Sequence, residues 1–475
     1  MFDYRIAYGC WLNDSRMKPI VDEDWPSVRI DQATMDSLDR TLGFLASAGY
    51  NYLDVFGLIT NHSWQPDIVS TVSPLRREQV VQVIELVHKH GLKLIYGLGV
   101  YSWGFDRIIS HNPDVRGTNP QVMCASADAS LEVMKQVIDY VCQTFRVDGF
   151  HLEAADQGRC SCDKCARFDN DIDYFNHVNQ LTASYIRQKY PDKLLLVNTS
   201  GYLAWGDHFS KDQLGKILKL GKNVDVFIDV GSHGEFIAPE DRKGMIDRMQ
   251  ASYGTANGFW IYPPQRWDRH RWLIPHVLQN HAHLKSLYEQ GGRSAELFLS
   301  PMNNPGVELT LLCNGMFMLS PEREIDDILR EAVERLYPSQ SLGQKKKIAD
   351  IFVQAERLFF ACWHPQRNRD LEASLSDGVE NVFMWSQVHP ERAIPGELFL
   401  EPLWGVGPGF PCYLTVHFDS AGRNAYRQGL EKLAEQTRAL LRETSGDDQK
   451  IRDILQCIEN VIEDINMVEA VLAGN

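Results

Sequence analysis

From residue 4 to about residue 320, short β-rich runs alternate with amphipathic helical stretches. This alternation is typical of parallel βα units, in which each helix returns the chain to the start of the next strand. Glycines at positions 49 and 91 are expected to end two of the helices. Eight strands are predicted, at residues 6–12, 52–58, 92–98, 149–154, 194–198, 224–230, 258–262 and 295–300.

Eight such units in about 320 residues predict an α/β protein built on a (β/α)8 TIM barrel, at residues 1–320. An open doubly wound sheet is the competing interpretation, but it calls for a glycine-rich phosphate turn after the first strand. Residues 8–14 are bulky and polar instead. Beyond residue 320 only helical patterns continue, which predicts a mostly α-helical C-terminal domain at 321–475 with an inserted loop at 395–413.

Charge and hydropathy narrow the range of partners. The chain has 48 Lys and Arg against 63 Asp and Glu, a net charge of −15, which disfavours binding to nucleic acid. It has no apolar run of the length that a membrane span needs. Residues 1–8 do not resemble a signal peptide, so we expect a cytoplasmic protein, or an exported one whose signal peptide has been removed. The expected partner is a small molecule or a glycan, and a homodimer remains open.

In a barrel, functional side chains lie at the carboxyl ends of the strands. In the fourth strand, the alternation of apolar residues puts His151 and Glu153 inside the barrel, and Asp156 follows shortly after the strand. Glu153 is either a carboxylate paired in the core or an acid that serves the substrate. The same alternation puts four more acids inside, with the lower two, Asp225 and Glu296, expected in salt-bridged packing. These four are Asp54, Asp225, Asp229 and Glu296.

Further candidates follow the first, third, seventh and eighth strands. Each also has an ordinary structural interpretation, such as a capping Asp, a surface His or a charged helix end. The long loop at 101–127 supplies aromatic rings for stacking on a sugar and a His that titrates near neutral pH. Arginines can hold a substrate carboxylate, and asparagines can bind sugar hydroxyls. The candidates are Asn13, Asp14, Trp103, Arg107, His111, Arg266 and Asn303.

A barrel mouth ringed by Asp, Glu, His and Trp suits glycoside hydrolysis. That reaction needs one group to protonate the leaving oxygen and a second group to attack or to activate water. No cofactor is required for this chemistry. The loop after the fourth strand contains Cys160, Cys162 and Cys165, whose spacing can face one structural zinc ion if Cys124 supplies the fourth ligand. A disulfide or free thiols are the alternatives.

The chain resembles barrel-type glycoside hydrolases that carry a helical C-terminal region, such as α-glucuronidases and hexosaminidases. The strand end at residues 11–14 and His111 resemble glycoside hydrolase family 156. This resemblance implies an inverting exo-sialidase that uses Asp14 and His111 without a catalytic metal. At least one of Arg107, Arg266 and Arg269 would then hold the sialic acid carboxylate. Two alternatives stay open. One is a uronidase or hexosaminidase that uses Glu153 and Asp156, and the other is a non-catalytic carbohydrate-binding barrel.

Overall fold

The computed structural model describes most of the barrel and most of the helical part that follows it. The described residues are 1–9, 30–60, 63–154, 158–198, 223–229, 257–261, 271–289, 291–298, 304–362, 414, 418–444 and 448–473.

Eight parallel strands close into a barrel in sequence order, with β8 paired to β1. This confirms the predicted (β/α)8 fold, and all eight predicted strands are present with ends that shift by a few residues. β1 is described only as far as Tyr8, and residues 10–12 of the predicted strand lie outside the described part. The strands are β1 (Tyr4–Tyr8), β2 (Tyr52–Val55), β3 (Lys93–Gly99), β4 (Gly149–Glu153), β5 (Leu194–Asn198), β6 (Val226–Asp229), β7 (Asn257–Ile261) and β8 (Ser294–Phe298).

Twelve α-helices are found in the described ranges. Gly49 ends α1 in a left-handed conformation, with φ of 106°, and Gly91 follows α3 with φ of 76°, as the sequence predicts. None of these helices is both long and apolar enough to span a membrane. They are α1 (Gln32–Ala48), α2 (Ile68–Thr71), α3 (Pro74–Lys89), α4 (Asp106–His111), α5 (Asp128–Thr144), α6 (Asp171–Lys189), α7 (Val277–Glu289), α8 (Pro305–Leu319), α9 (Ile325–Leu336), α10 (Leu342–Cys362), α11 (Ser420–Glu443) and α12 (Gln449–Ala473).

The chain divides into two compact units. The first holds the eight strands and α1–α6, and the second holds residues 271–285 and the helices from Pro305 onward. The predicted boundary at residue 320 stays a prediction. The helical character of the C-terminal part is confirmed, because α9–α12 cover most of its described residues.

A buried carboxylate organises the second unit. Glu356 of α10 accepts hydrogen bonds from the backbone N–H groups of Val277, Leu278 and Gln279, at 2.8–3.0 Å. These donors belong to the first turn of α7, where no helical carbonyl is available to them. Burial raises the pKa of Glu356 to about 7, and the three N–H donors oppose that rise. The carboxylate therefore takes the place of a capping residue for α7.

Inside the barrel, strand register decides which residues face one another. Partners on neighbouring parallel strands point to the same side, so the pairs Tyr8–Asp54 and Gly97–His151 define the inner face. Asp225 departs from the prediction that it lies inside. It precedes β6, and its carboxylate pairs with Arg187 of α6 at 2.7 Å, on the side of the helices. The expected salt bridge is present, but the side of the sheet was wrong.

Candidate active site

Three ionisable side chains meet in the middle of the barrel. Asp54 of β2, His151 of β4 and Glu296 of β8 are each fully buried. Alternation along each strand brings them inward, because Leu53, Leu152 and Leu297 take up the outward positions. Polar groups at this depth must satisfy one another, since water does not reach them. We call this group the central triad.

Short contacts join the members of the central triad. Nδ1 of His151 lies 2.6 Å from Oδ2 of Asp54 and 3.8 Å from Oε1 of Glu296. The carboxyl group of Glu296 lies close to that of Asp54, with oxygen atoms of the two within 4.8 Å. Burial raises the pKa of Asp54 from 3.8 to about 8, and its interaction with Glu296 opposes that rise. Asp54 therefore keeps its proton at neutral pH.

The central triad has donor atoms close enough to consider as metal ligands, since all lie within 4.8 Å of one another. Ligand atoms about 2.1 Å from one tetrahedral ion would be about 3.4 Å apart. The 2.6 Å contact between Asp54 and His151 is shorter than that. It fits a hydrogen bond rather than two ligands of one ion.

Aromatic rings enclose the imidazole of His151. The edges of Tyr8 and Phe56 contact it, with ring centroids 5.8 and 5.2 Å away. Phe56 reaches this position because residue 97 is glycine, where a Cβ would lie 2.2 Å from Cδ2 of the ring. The rings fix the orientation of the imidazole and exclude water from it.

Glu153 lies at the carboxyl end of β4, one inward position above His151. Its side chain is 10% exposed, and its Oε2 lies 4.0 Å from Nε2 of His151. The two ring nitrogens of His151 therefore point in different directions, Nδ1 toward Asp54 and Nε2 toward Glu153. A line of ionisable groups therefore runs from the barrel centre to its mouth.

The loop after β3 is held against this end of β4. Gly99 is the strand partner of Glu153, and a Cβ at position 99 would lie 2.3 Å from Cβ of Trp103. Tyr101 and Trp103 both adopt positive φ angles, 64° and 34°, which side-chain-bearing residues rarely do. Backbone strain of this kind is concentrated at functional sites. The structure thus brings predicted Trp103 beside the strand end that carries Glu153.

His111 and Arg107 are exposed residues of α4. The ring of His111 lies at the end of the helix, where Nδ1–H donates to the carbonyl oxygen of Arg107 at 2.8 Å. This is the ordinary arrangement of a surface histidine at a helix C-terminus. Its predicted convergence with Asp14 stays a prediction, because Asp14 lies outside the described residues.

Other predicted site residues also fall outside the described ranges. Asp229 belongs to β6, but its side chain is not described. Residues of the predicted site that lie outside are Asn13, Asp14, Asp156, Arg266 and Asn303, together with the loop at 395–413. Their predicted roles remain predictions.

The cysteines predicted as zinc ligands come together. Cys160, Cys162 and Cys165 lie in the loop after β4, and Cys124 joins them from the loop after β3. The spacing of the first three is readable from the sequence. The approach of Cys124 depends on the two loops being neighbours at the barrel mouth.

Comparison with known proteins supports the fold. No protein-family model and no curated protein matches this sequence. A GH138 enzyme that targets pectin rhamnogalacturonan II has a similar structure, with a TM-score of 0.57 and 9% identity over 98% of this chain. The chain spans 57% of the length of that enzyme.

Two further structures are similar. CpGH84B gives a TM-score of 0.52 with 9% identity, covering 100% of this chain and 70% of its own. A mutant of the Thermobaculum terrenum O-GlcNAc hydrolase gives 0.52 with 11% identity, covering 98% and 94%. At such identities the likeness concerns the fold alone, and it agrees with the barrel described above.

Proposed function

We propose that this protein is a glycoside hydrolase in which Glu153 protonates the leaving glycosidic oxygen. The observation that carries the proposal is the location of Glu153 at the carboxyl end of β4, almost buried and in reach of His151. A carboxyl group in such surroundings suits general acid catalysis. Trp103, beside the same strand end, would supply an aromatic face for the sugar ring.

The central triad would position Glu153 from the interior of the barrel. His151 is a positioning residue in this proposal, because it contacts Glu153 and not the substrate. A protonated Asp54 at its Nδ1 side keeps the number of charges in the dry interior small. Asp156, three residues after Glu153, is the candidate second carboxylate. Such a pair would fit a uronidase or a hexosaminidase. The similar GH138 enzyme, which targets pectin rhamnogalacturonan II, and the similar O-GlcNAc hydrolase support a glycan substrate.

An inverting exo-sialidase that uses Asp14 and His111 is the second candidate. It is supported by the resemblance of residues 11–14 and His111 to glycoside hydrolase family 156. At least one of Arg107, Arg266 and Arg269 would bind the substrate carboxylate in this case. Proton NMR of the anomer released from an aryl sialoside tests it, because net retention contradicts an inverting mechanism.

The test of the principal proposal is a panel of aryl glycosides that includes glucuronides, N-acetylhexosaminides and sialosides. Glu153→Gln keeps the shape of the side chain but has no acidic proton. We expect kcat/KM to fall about a hundredfold to ten-thousandfold for a poor leaving group, and far less for a dinitrophenyl leaving group that needs no protonation. Glu85→Gln, an exposed substitution on α3, is the matched control and should leave both rates unchanged.

Equal losses for both leaving groups would contradict general acid catalysis by Glu153. Activity on sialosides that requires His111, and not Glu153, would favour the sialidase instead. A protein that hydrolyses nothing in the panel, while a sugar still raises its Tm, would be a non-catalytic carbohydrate-binding barrel.

A further inference from the structure

Four cysteines form a compact cluster at the mouth of the barrel. Sγ of Cys124 lies 3.7 Å from Sγ of Cys162 and 3.6 Å from Sγ of Cys165. With Cys160 included, all four sulfur atoms lie within 4.8 Å of one another. None of the four is in a disulfide.

These distances fit a tetrahedral metal site. Zn–S bonds of about 2.3 Å in a tetrahedron place the sulfur atoms about 3.8 Å apart. The observed separations of 3.6 and 3.7 Å are close to that value, and they are far longer than a disulfide bond of about 2.05 Å. Four thiolates also complete the coordination of zinc, so that no position is left for a substrate.

Polar groups lie beside the sulfur atoms of the cluster. The hydroxyl group of Thr118 lies 3.8 Å from Sγ of Cys160. The hydroxyl group of Ser126 also lies 3.3 Å from Sγ of Cys165. Donors around the ligands are a regular part of metal sites, because they orient the ligands and stabilise their charge.

A glycine makes room for the cluster. A Cβ at position 117 would lie 2.1 Å from Sγ of Cys160. The backbone of the loop after β3 therefore approaches the loop after β4 more closely than any other residue type would allow. A hydrogen bond between Thr118 Oγ1 and the N–H of Ser161, at 2.8 Å, joins the same two loops.

We propose that Cys124, Cys160, Cys162 and Cys165 bind one structural zinc ion that links the loops after β3 and β4. The first loop carries Trp103, and the second begins directly after Glu153. The ion would hold both loops together at the barrel mouth. The site is separate from the central triad and does not depend on the proposed hydrolase activity.

The test measures the metal content of untagged protein after dialysis, by plasma mass spectrometry. We expect about one zinc per chain in the wild type and a loss of most of it in Cys124→Ser. Cys142→Ser is the matched control, because this half-buried cysteine of α5 lies outside the cluster, and it should keep the full zinc content. Exchange of zinc for cobalt should give the visible bands of a tetrahedral thiolate complex.

Zinc removal provides a second measurement that does not require a variant to fold. A chelator should lower the Tm of the wild type, and added zinc should restore it. Wild-type protein without stoichiometric zinc, or with iron in its place, would overturn the proposal. It would also be overturned by a zinc content that is the same in Cys124→Ser as in the wild type.

Discussion

Gly97→Ala tests whether close packing around His151 depends on the glycine opposite it. The added Cβ would lie 2.2 Å from Cδ2 and 2.3 Å from Cγ of Phe56. The ring has little freedom to move, because it is 6% exposed and contacts Tyr8 and His151 on its other sides. The substitution therefore has to displace the ring or the backbone of β3.

The expected cost follows from that overlap. Overpacking a close-packed core by one methyl group costs about 1–3 kcal/mol. Ala restricts the unfolded chain more than Gly does, which offsets about 0.4–1 kcal/mol of this. The net loss is therefore up to about 2.6 kcal/mol. A loss of 1 kcal/mol lowers Tm by roughly 2–4 °C in a large domain, so we expect Tm to fall by up to about 10 °C.

Repeating the substitution in a Phe56→Ala variant tests the cause of this loss directly. Phe56→Ala by itself should cost about 3–5 kcal/mol, because it leaves a cavity. In that background the Cβ at position 97 no longer meets a ring, and Gly97→Ala should stabilise the protein slightly. The urea midpoint and Tm of the wild type, the two single variants and the double variant show whether the effect of Gly97→Ala on stability changes sign. An equal loss in both backgrounds would refute the reasoning. Gly343→Ala, where a Cβ meets nothing within 4 Å, is the control and should be neutral or slightly stabilising.

Three further predictions concern Asp54, Asp464 and Gly117. Asp54 keeps a proton in the folded state that the unfolded chain releases above about pH 4, so the free energy of unfolding should fall as pH rises toward 8. The urea midpoint measured against pH should show this fall, and the fall should be smaller in Asp54→Asn. Asp464→Ala removes a buried acceptor that lies 2.6 Å from Nε1 of Trp272, and it should cost about 2–4 kcal/mol, seen as a lower Tm, with a smaller loss in Asp464→Asn. Gly117→Ala should reduce zinc content in the metal analysis, because its Cβ would meet Sγ of Cys160.

The sequence predicts the barrel well because its two periodicities are strong. Strands buried on both faces alternate with helices that carry an apolar stripe, and few folds satisfy eight such units. The side of the sheet that a residue faces is less predictable. Val226 of β6 pairs with Leu196, the strand partner of His151, so Val226 faces the interior and Asp225 faces the helices, where it pairs with Arg187. One residue decides the side, because side chains alternate at every step.

The candidate site is predictable only in part. Glu153 and His151 follow from alternation within one strand. The contact of Asp54 with Glu296 depends on closure of the barrel, which brings β2 and β8 to opposite sides of β1. The sequence alone therefore predicts only packing near the barrel base for Glu296, although the structure places it beside Asp54 and His151. Gly97 and Gly99 are the sequence signal that marks the site, because two inward glycines in one strand leave space for the rings of neighbouring residues.

The sulfur cluster also has a consequence for protein engineering. Cys124 and Cys162 are 38 positions apart, and a whole helix and strand separate the loops that carry them. A chimera that takes one of these loops from another barrel would inherit an incomplete set of ligands. Grafting of new specificity onto this scaffold should therefore exchange the two loops together.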